Sequence, residues 1–214
     1  MIDVILKKIK EEGKQGWNLY RDYYDLLTFE DLVVLNDKLD ELFPNQNHFN
    51  EQVIKGYFDQ LVSEELFVLE LGCHVGNLAK TMLREYSNVT RWTGLDISKS
   101  VIKRTIVRDI RYFSFHLETW FFETKLPIFN VFISTHTLEH MRLTEVFKCL
   151  KHVDPVTYMI LEIPLSKNRW YNYGGTHILD ANKDTLKRIF TELGYDCKNE
   201  VGDLLIFLEK KKET

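Results

Sequence analysis

Leu66-Phe67-Val68-Leu69-Glu70-Leu71-Gly72-Cys73-His74-Val75-Gly76-Asn77 is the stretch on which the fold of this chain turns. Residues 66–71 are a short apolar run, the pattern of a strand buried in a parallel sheet. Gly72 to Gly76 then make a turn, and Asn77 to Tyr86, with Leu78, Met82 and Leu83 on one side, read as a helix. Glycines in such a turn let the backbone approach a ligand, and the N-terminus of the helix offers N–H groups. Arg91-Trp92-Thr93-Gly94-Leu95-Asp96 follows as a second strand that ends in an acid. A carboxylate there can accept hydrogen bonds from both hydroxyls of a ribose. Strand, glycine turn, helix, strand and acid, in that order, predict an adenosine-type ligand.

Working outward, the alternation continues. Residues 113–117 and 128–134 read as third and fourth strands, 144–152 as a helix, and 157–163 as a fifth strand ended by Pro164. Residues 183–193 read as a helix stopped by Gly194, and 196–201 with 204–209 as a hairpin around Gly202-Asp203. Strands and helices alternating in this way predict an α/β doubly wound sheet. Upstream, residues 1–62 read as helices: Phe29, Leu32, Val33, Leu35, Leu39 and Leu42 recur at helical spacing until Pro44, and Val53, Ile54, Tyr57, Phe58 and Leu61 mark a further helix. The division expected is an N-terminal helical cap or lid over 1–65 and a core over 66–214.

The chain has 214 residues, 44% hydrophobic and 28% charged, enough for a sizeable core without a disulfide or metal staple. Lys+Arg 28 against Asp+Glu 32 leaves a formal charge of −4, so no nucleic-acid partner is favoured. Cys73, Cys149 and Cys197 are odd in number and far apart, with no CxxC pattern, and the expectation is a reducing, cytoplasmic location. The start of the chain soon reaches Lys7, Lys8, Lys10, Glu11 and Glu12 without the order of a signal peptide. No later apolar run is long enough to span a bilayer. Oligomeric state is not legible.

The nicotinamide pattern GxGxxG would need glycine at 72, 74 and 77, where His74 and Asn77 break it, and no Gly-Lys-Ser/Thr follows Gly76. Val68 to Gly76 instead resembles the first motif of class I S-adenosylmethionine-dependent methyltransferases, an acid-x-Gly-x-Gly-x-Gly run. Gly94-Leu95-Asp96-Ile97-Ser98 is similar to their second, acidic motif, and Glu118-Thr119 sits where an acid and a small residue flank the adenine. Phe129 to Met141 resembles the fourth-strand motif, with Asn130 in place of the usual Asp. His177, Leu186, Phe190 and Gly194-Tyr195 match the family's ending before its last two strands. The likeness covers about residues 66–209 and leaves the helical N-terminus aside.

The resemblance implies a mostly parallel, seven-stranded Rossmann-like methyltransferase sheet with the N-terminal cap beside it. It implies S-adenosylmethionine as cofactor and S-adenosylhomocysteine as product. Glu70 would steer the methionine ammonium, and Gly72, Cys73, His74 and Gly76 would bring backbone to the methionine part. Asp96 would bind the ribose, Ile97 would cover one adenine face, Glu118 and Thr119 would address the adenine edge, and Thr135 would line the floor near the sulfonium. His74 replaces the middle glycine, where a positive φ is often required, and His tolerates that better than most residues. Asn130, at the strand end opposite the ligand, reads as structural.

His136-Thr137-Leu138-Glu139-His140 also spells HxxEH, the motif of a zinc peptidase class. That chemistry needs both histidines on one helix face, and His136 falls in a loop just after a strand. Some methyltransferases of quinone biosynthesis and of small-RNA ends carry Glu-x-x-Glu-His here with a divalent metal, but none is favoured for this chain. Methyl transfer is an in-line displacement that must align the acceptor, exclude water and, for a hydroxyl, remove a proton. His136 is the first candidate for that base, and His177, in the aromatic loop after the fifth strand, is the second. The Asn/Asp-Pro-Pro-Tyr/Phe motif of amino methylation on adenine or glutamine is absent. The function expected is transfer of a methyl group to O or N of a small metabolite or sugar. A cofactor-binding but non-catalytic interaction protein is the second reading, resting on His74 and Asn130, and an HxxEH metal hydrolase is the third.

Overall fold

The computed structural model describes residues 2–12, 31, 34, 38, 51–74, 76–96, 111–114, 126–154, 156–163, 179, 181–201 and 205–211. Its elements in chain order are helices α1 (Ile2–Glu12) and α2 (Glu51–Phe58), strand β1 (Leu66–Leu71), helix α3 (Asn77–Glu85), and strands β2 (Val89–Asp96), β3 (Arg111–Ser114) and β4 (Val131–Thr135). Helix α4 (Leu143–Val153), strand β5 (Tyr158–Glu162), helix α5 (Lys183–Glu192) and strands β6 (Tyr195–Val201) and β7 (Leu205–Lys210) complete them. The strands form one sheet in the order β3-β2-β1-β4-β5-β7-β6. Pairs β1–β2, β1–β4, β2–β3 and β4–β5 are parallel, while β7 is antiparallel to both β5 and β6. The order reverses between β1 and β4, the place where open α/β sheets bind ligands.

Both faces of the sheet are covered, as its apolar strands require. On one face Leu66 and Val68 of β1 join Ile54, Tyr57 and Phe58 of α2 and Leu78, Ala79 and Met82 of α3. On the other, Leu69 and Leu71 join Val146, Cys149, Leu150 and Val153 of α4 and Leu186 and Phe190 of α5. This is the two-residue alternation of a strand written in one apolar run. Glu70 shares the parity of Leu66 and Val68, so its carboxylate enters the α2–α3 side.

Asn130 explains its own presence at the amino end of β4. Its Oδ1 accepts from Phe67 N at 2.8 Å and its Nδ2 donates to Glu65 O at 2.7 Å. Its main chain also bonds to Phe67 O and Tyr158 N. An aspartate has no proton for the Glu65 carbonyl, so the amide suits this junction better.

Two boundaries differ from the sequence reading. The fourth strand begins at Val131 rather than 128, because Asn130 uses its side chain and main chain to bend the chain into the junction and Ile128 is left 76% exposed. The third strand begins at Arg111, opposite Thr93, two residues before the apolar alternation suggests, because the partner strand sets its register. Residues 13–50 lie outside the description apart from three positions, so the helix expected over 29–42 does too. Among the described residues, no helix is long and apolar enough to cross a membrane.

Candidate functional site

The turn between β1 and α3 is shaped by backbone conformation. Gly72, His74 and Gly76 all have positive φ, at 76°, 49° and 88°. A side chain at Gly72 would be excluded twice: its φ is left-handed, and a Cβ there would lie 1.8 Å from Thr137 Oγ1. The N–H groups of Gly72 and Cys73 both donate to Leu95 O, at 2.7 and 3.0 Å, which hangs the turn on the end of β2. His74 N donates to Asp96 Oδ2 at 2.8 Å, and Gly76 N donates to Cys73 O at 3.0 Å. Asp96 therefore does more than end a strand: it fixes the strained histidine of the turn. The structure brings Gly72, Cys73, His74, Gly76 and Asp96 together at the carboxyl edge of the sheet.

Glu70 stands one residue before this turn and is buried. Trp92 Nε1 donates to its Oε2 at 2.8 Å, and Trp92 in turn stacks on Phe58 of α2 at 6.4 Å between ring centroids. Burial pushes the Glu70 carboxyl up to about 8, against the pull of the Trp92 bond and with the help of the Asp96 charge. Cys73 is buried in the same place, and burial, with the charges of Asp96 and Glu70, pushes its thiol well up, so it packs as a neutral group.

The other rim is made by the ends of β4 and β5. Thr135 closes β4 opposite Glu162 of β5. His136 follows with φ +50°, its N–H donating to Glu162 O at 2.9 Å. Its Nδ1 lies 3.4 Å from Glu139 Oε1 and its Nε2 3.5 Å from Glu162 Oε1. Burial pulls the proton affinity of this ring down, yet the two flanking carboxylates outweigh it and leave the pKa raised to about 9. Glu139 sits in a single 3-10 turn, Leu138–His140, and its carboxylate is buried, with the rings of His136 and His140 as its ion-pair neighbours among the described residues. Thr137 Oγ1 donates toward Thr135 O and Leu71 O, at 3.1 and 3.3 Å, which seats its side chain over Gly72 and joins the two rims. Leu179 N donates to Glu139 O at 3.0 Å, which places Leu179 beside this turn.

The HxxEH run thus spans a strand end, a left-handed residue and one 3-10 turn, not the helix face on which a zinc peptidase sets its histidines. Among the described residues, no group of three or more His, Cys, Asp and Glu side chains is disposed to hold a metal ion. Ile97, Glu118, Thr119 and His177 lie outside the described residues. Sequence reasoning missed Trp92, Thr137 and Glu162. A tryptophan inside a buried strand, whose indole N–H must find an acceptor, was the signal available for the first. The other two act only through tertiary neighbours.

No family model matches the chain, and no curated protein sequence matches it. In structure it is similar to magnesium protoporphyrin IX methyltransferase from Synechocystis PCC 6803 with bound S-adenosylhomocysteine, at 14% identity and a TM-score of 0.59, covering 90% of this chain and 99% of that one. It is similar to mitomycin 7-O-methyltransferase, at 13% identity and a TM-score of 0.59 over 93% of this chain and 70% of that one. A methyltransferase from Archaeoglobus fulgidus, dependent on S-adenosylmethionine, matches at 18% identity and a TM-score of 0.53 over 75% of this chain and 74% of that one. These likenesses show the fold: the chain carries the Rossmann-like fold of class I methyltransferases.

Proposed function

We propose that this chain is an S-adenosylmethionine-dependent methyltransferase that moves a methyl group to an oxygen or nitrogen of a small metabolite or sugar. One observation carries the reading: a turn with three positive-φ residues closes onto Asp96 where the strand order reverses. The residues present fit such a ligand, since the left-handed turn at Gly72, His74 and Gly76 stands beside the carboxylate of Asp96, which would take the ribose. When bound, the cofactor supplies a methyl group already activated on a sulfonium.

The N–H groups of residues 72–74 and 76 hold the turn itself, so Gly72, Cys73, His74 and Gly76 would bring backbone to the methionine part, and Glu70 would steer its ammonium. Asp96 takes the ribose, Ile97, Glu118 and Thr119 take the adenine, and Thr135 lines the floor. His136 and His177 belong to the acceptor side. Residues 1–65 form a cap on the core of 66–214, and the chain works in the cytoplasm. Structural neighbours named for magnesium protoporphyrin IX and for mitomycin support an acceptor of small-molecule class. The rival reading as a non-catalytic binder drew on His74 and Asn130, and each has a structural reason to stand where it does.

Titration calorimetry with S-adenosylmethionine and S-adenosylhomocysteine tests the reading. Both are expected to bind, and Asp96→Ala to weaken them by at least about tenfold, the worth of one charge-assisted hydrogen bond. If neither ligand binds at high micromolar concentration, or Asp96→Ala binds as well as the wild type, the reading fails. Methyl release on a panel of amines, hydroxy acids and sugars then separates an enzyme from a binding protein.

A further inference from the structure

Two carboxylates from different elements meet the two ring nitrogens of one histidine. Glu139, in the 3-10 turn, faces Nδ1 of His136, and Glu162, at the end of β5, faces Nε2. A neutral imidazole carries one N–H and one lone pair, so it would turn a lone pair toward one of these carboxylates. Only the imidazolium offers a proton to both. Both carboxylates are buried, so solvent screens them little. The backbone adds to the grip, because His136 N also donates to Glu162 O and its left-handed φ fixes where the ring leaves the chain. Among the described residues, His140 is a further titratable neighbour in this network, with its Nε2 4.0 Å from the same Glu139 Oε1.

We propose that Glu139 and Glu162 are positioning residues that hold His136 as a fixed imidazolium, a charged clamp between the ends of β4 and β5, so that His136 does not serve as the proton acceptor of the site. With both nitrogens engaged, the ring has no lone pair to offer an acceptor hydroxyl. The clamp also governs the glycine turn, since the next residue, Thr137, is the one seated on Gly72. This second half rests on the cofactor reading above; the first half does not.

Nitrogen NMR of the full chain with 15N-labelled histidine tests the clamp directly. The His136 signals are identified by their loss in His136→Asn, a residue that tolerates left-handed φ. At pH 8 both ring nitrogens are expected at protonated positions, with a midpoint of about 9. Glu162→Gln is expected to lower the midpoint by at least about one pH unit, and Glu139→Gln serves as a second variant should the first fail to fold. A wild-type midpoint at or below the ordinary value of about 6.5, or one neutral tautomer at pH 8, overturns the clamp. For the second half, calorimetry with S-adenosylhomocysteine at pH 8 is expected to show binding weakened about fivefold in Glu162→Gln. Unchanged affinity alongside a lowered midpoint overturns that coupling. If the wild type does not bind S-adenosylhomocysteine at all, the cofactor reading fails, while the nitrogen titration still decides the clamp.

Discussion

The two rims of the candidate site are built by opposite means. On the β1–β2 side the shape is made by main chain: three positive-φ residues, two N–H groups on one Leu95 carbonyl, and one on Asp96. On the β4–β5 side it is made by side-chain charge, with His136 held between Glu139 and Glu162. The first rim owes its shape to main-chain conformation and leaves little room for a change of residue at Gly72. The second depends on the charge state of its side chains and so responds to protons. Thr137, bonded to carbonyls of both β1 and β4, is where the two meet.

Gly72→Ala is the hardest blow to the backbone rim. It combines a left-handed φ with a Cβ 1.8 Å from Thr137 Oγ1, and should cost about 4 kcal/mol in urea denaturation. A loss under about 1 kcal/mol would mean that the turn is softer than its geometry implies.

The charge rim predicts the next largest effect, and its sign follows from linkage. The folded pKa of His136, about 9, lies above the unfolded value near 6.5. Its stabilisation is therefore complete below pH about 6.5, falls as pH rises, and is gone above about 9. The stability gap between wild type and His136→Asn should shrink by about 3 kcal/mol across that window. A gap that stays constant from pH 6 to 10 would assign the contact to packing alone.

Glu70 sharpens the comparison, because it is a titratable carboxyl buried inside the backbone rim. Its folded pKa of about 8 is raised by burial above the ordinary carboxylate value, so the folded state favours the protonated form and stability is lost as pH climbs toward 8. Glu70→Gln keeps an acceptor for Trp92 without that loss, and should gain about 2 kcal/mol at pH 7.5 by chemical denaturation. The same variant should bind S-adenosylmethionine more weakly, a trade of stability against function. At the far end of the strands, Asn130→Asp serves as a control. It removes the donor to Glu65 O and should cost about 1 kcal/mol in thermal unfolding with no change in ligand affinity.

The same contrast explains what was legible in the sequence. Glycines at 72 and 76 and an acid at 96 announce a turn and its anchor, because left-handed φ and strand-end carboxylates are properties of single residues in order. The clamp was half visible: His136 stood out as titratable, but its partner Glu162 looks in sequence like any acid at the end of a strand. Only the pairing of Thr135 with Glu162 brings the two together. Trp92 was hidden likewise, since its bond to Glu70 depends on β1 and β2 lying in one particular register. Apolar alternation located the third and fourth strands but not their starts, which Thr93 and Asn130 decide from outside.

The hairpin of β6 and β7 has a consequence for how the molecule is made. The strand latest in sequence, β7, lies inside the sheet between β5 and β6. Until it arrives, β5 is paired only with β4 and presents a bare hydrogen-bonding edge that invites pairing with another chain. Asp154, just before β5, is bound by both Tyr195 of β6 and Lys210 of β7, and Tyr195 also bonds the main chain of Val156. Docking of the hairpin therefore seals the sheet through long-range pairing, the kind of contact that slows folding. Mutations that loosen Asp154, Tyr195 or Lys210 should appear first as aggregation during refolding, before they register as lost stability.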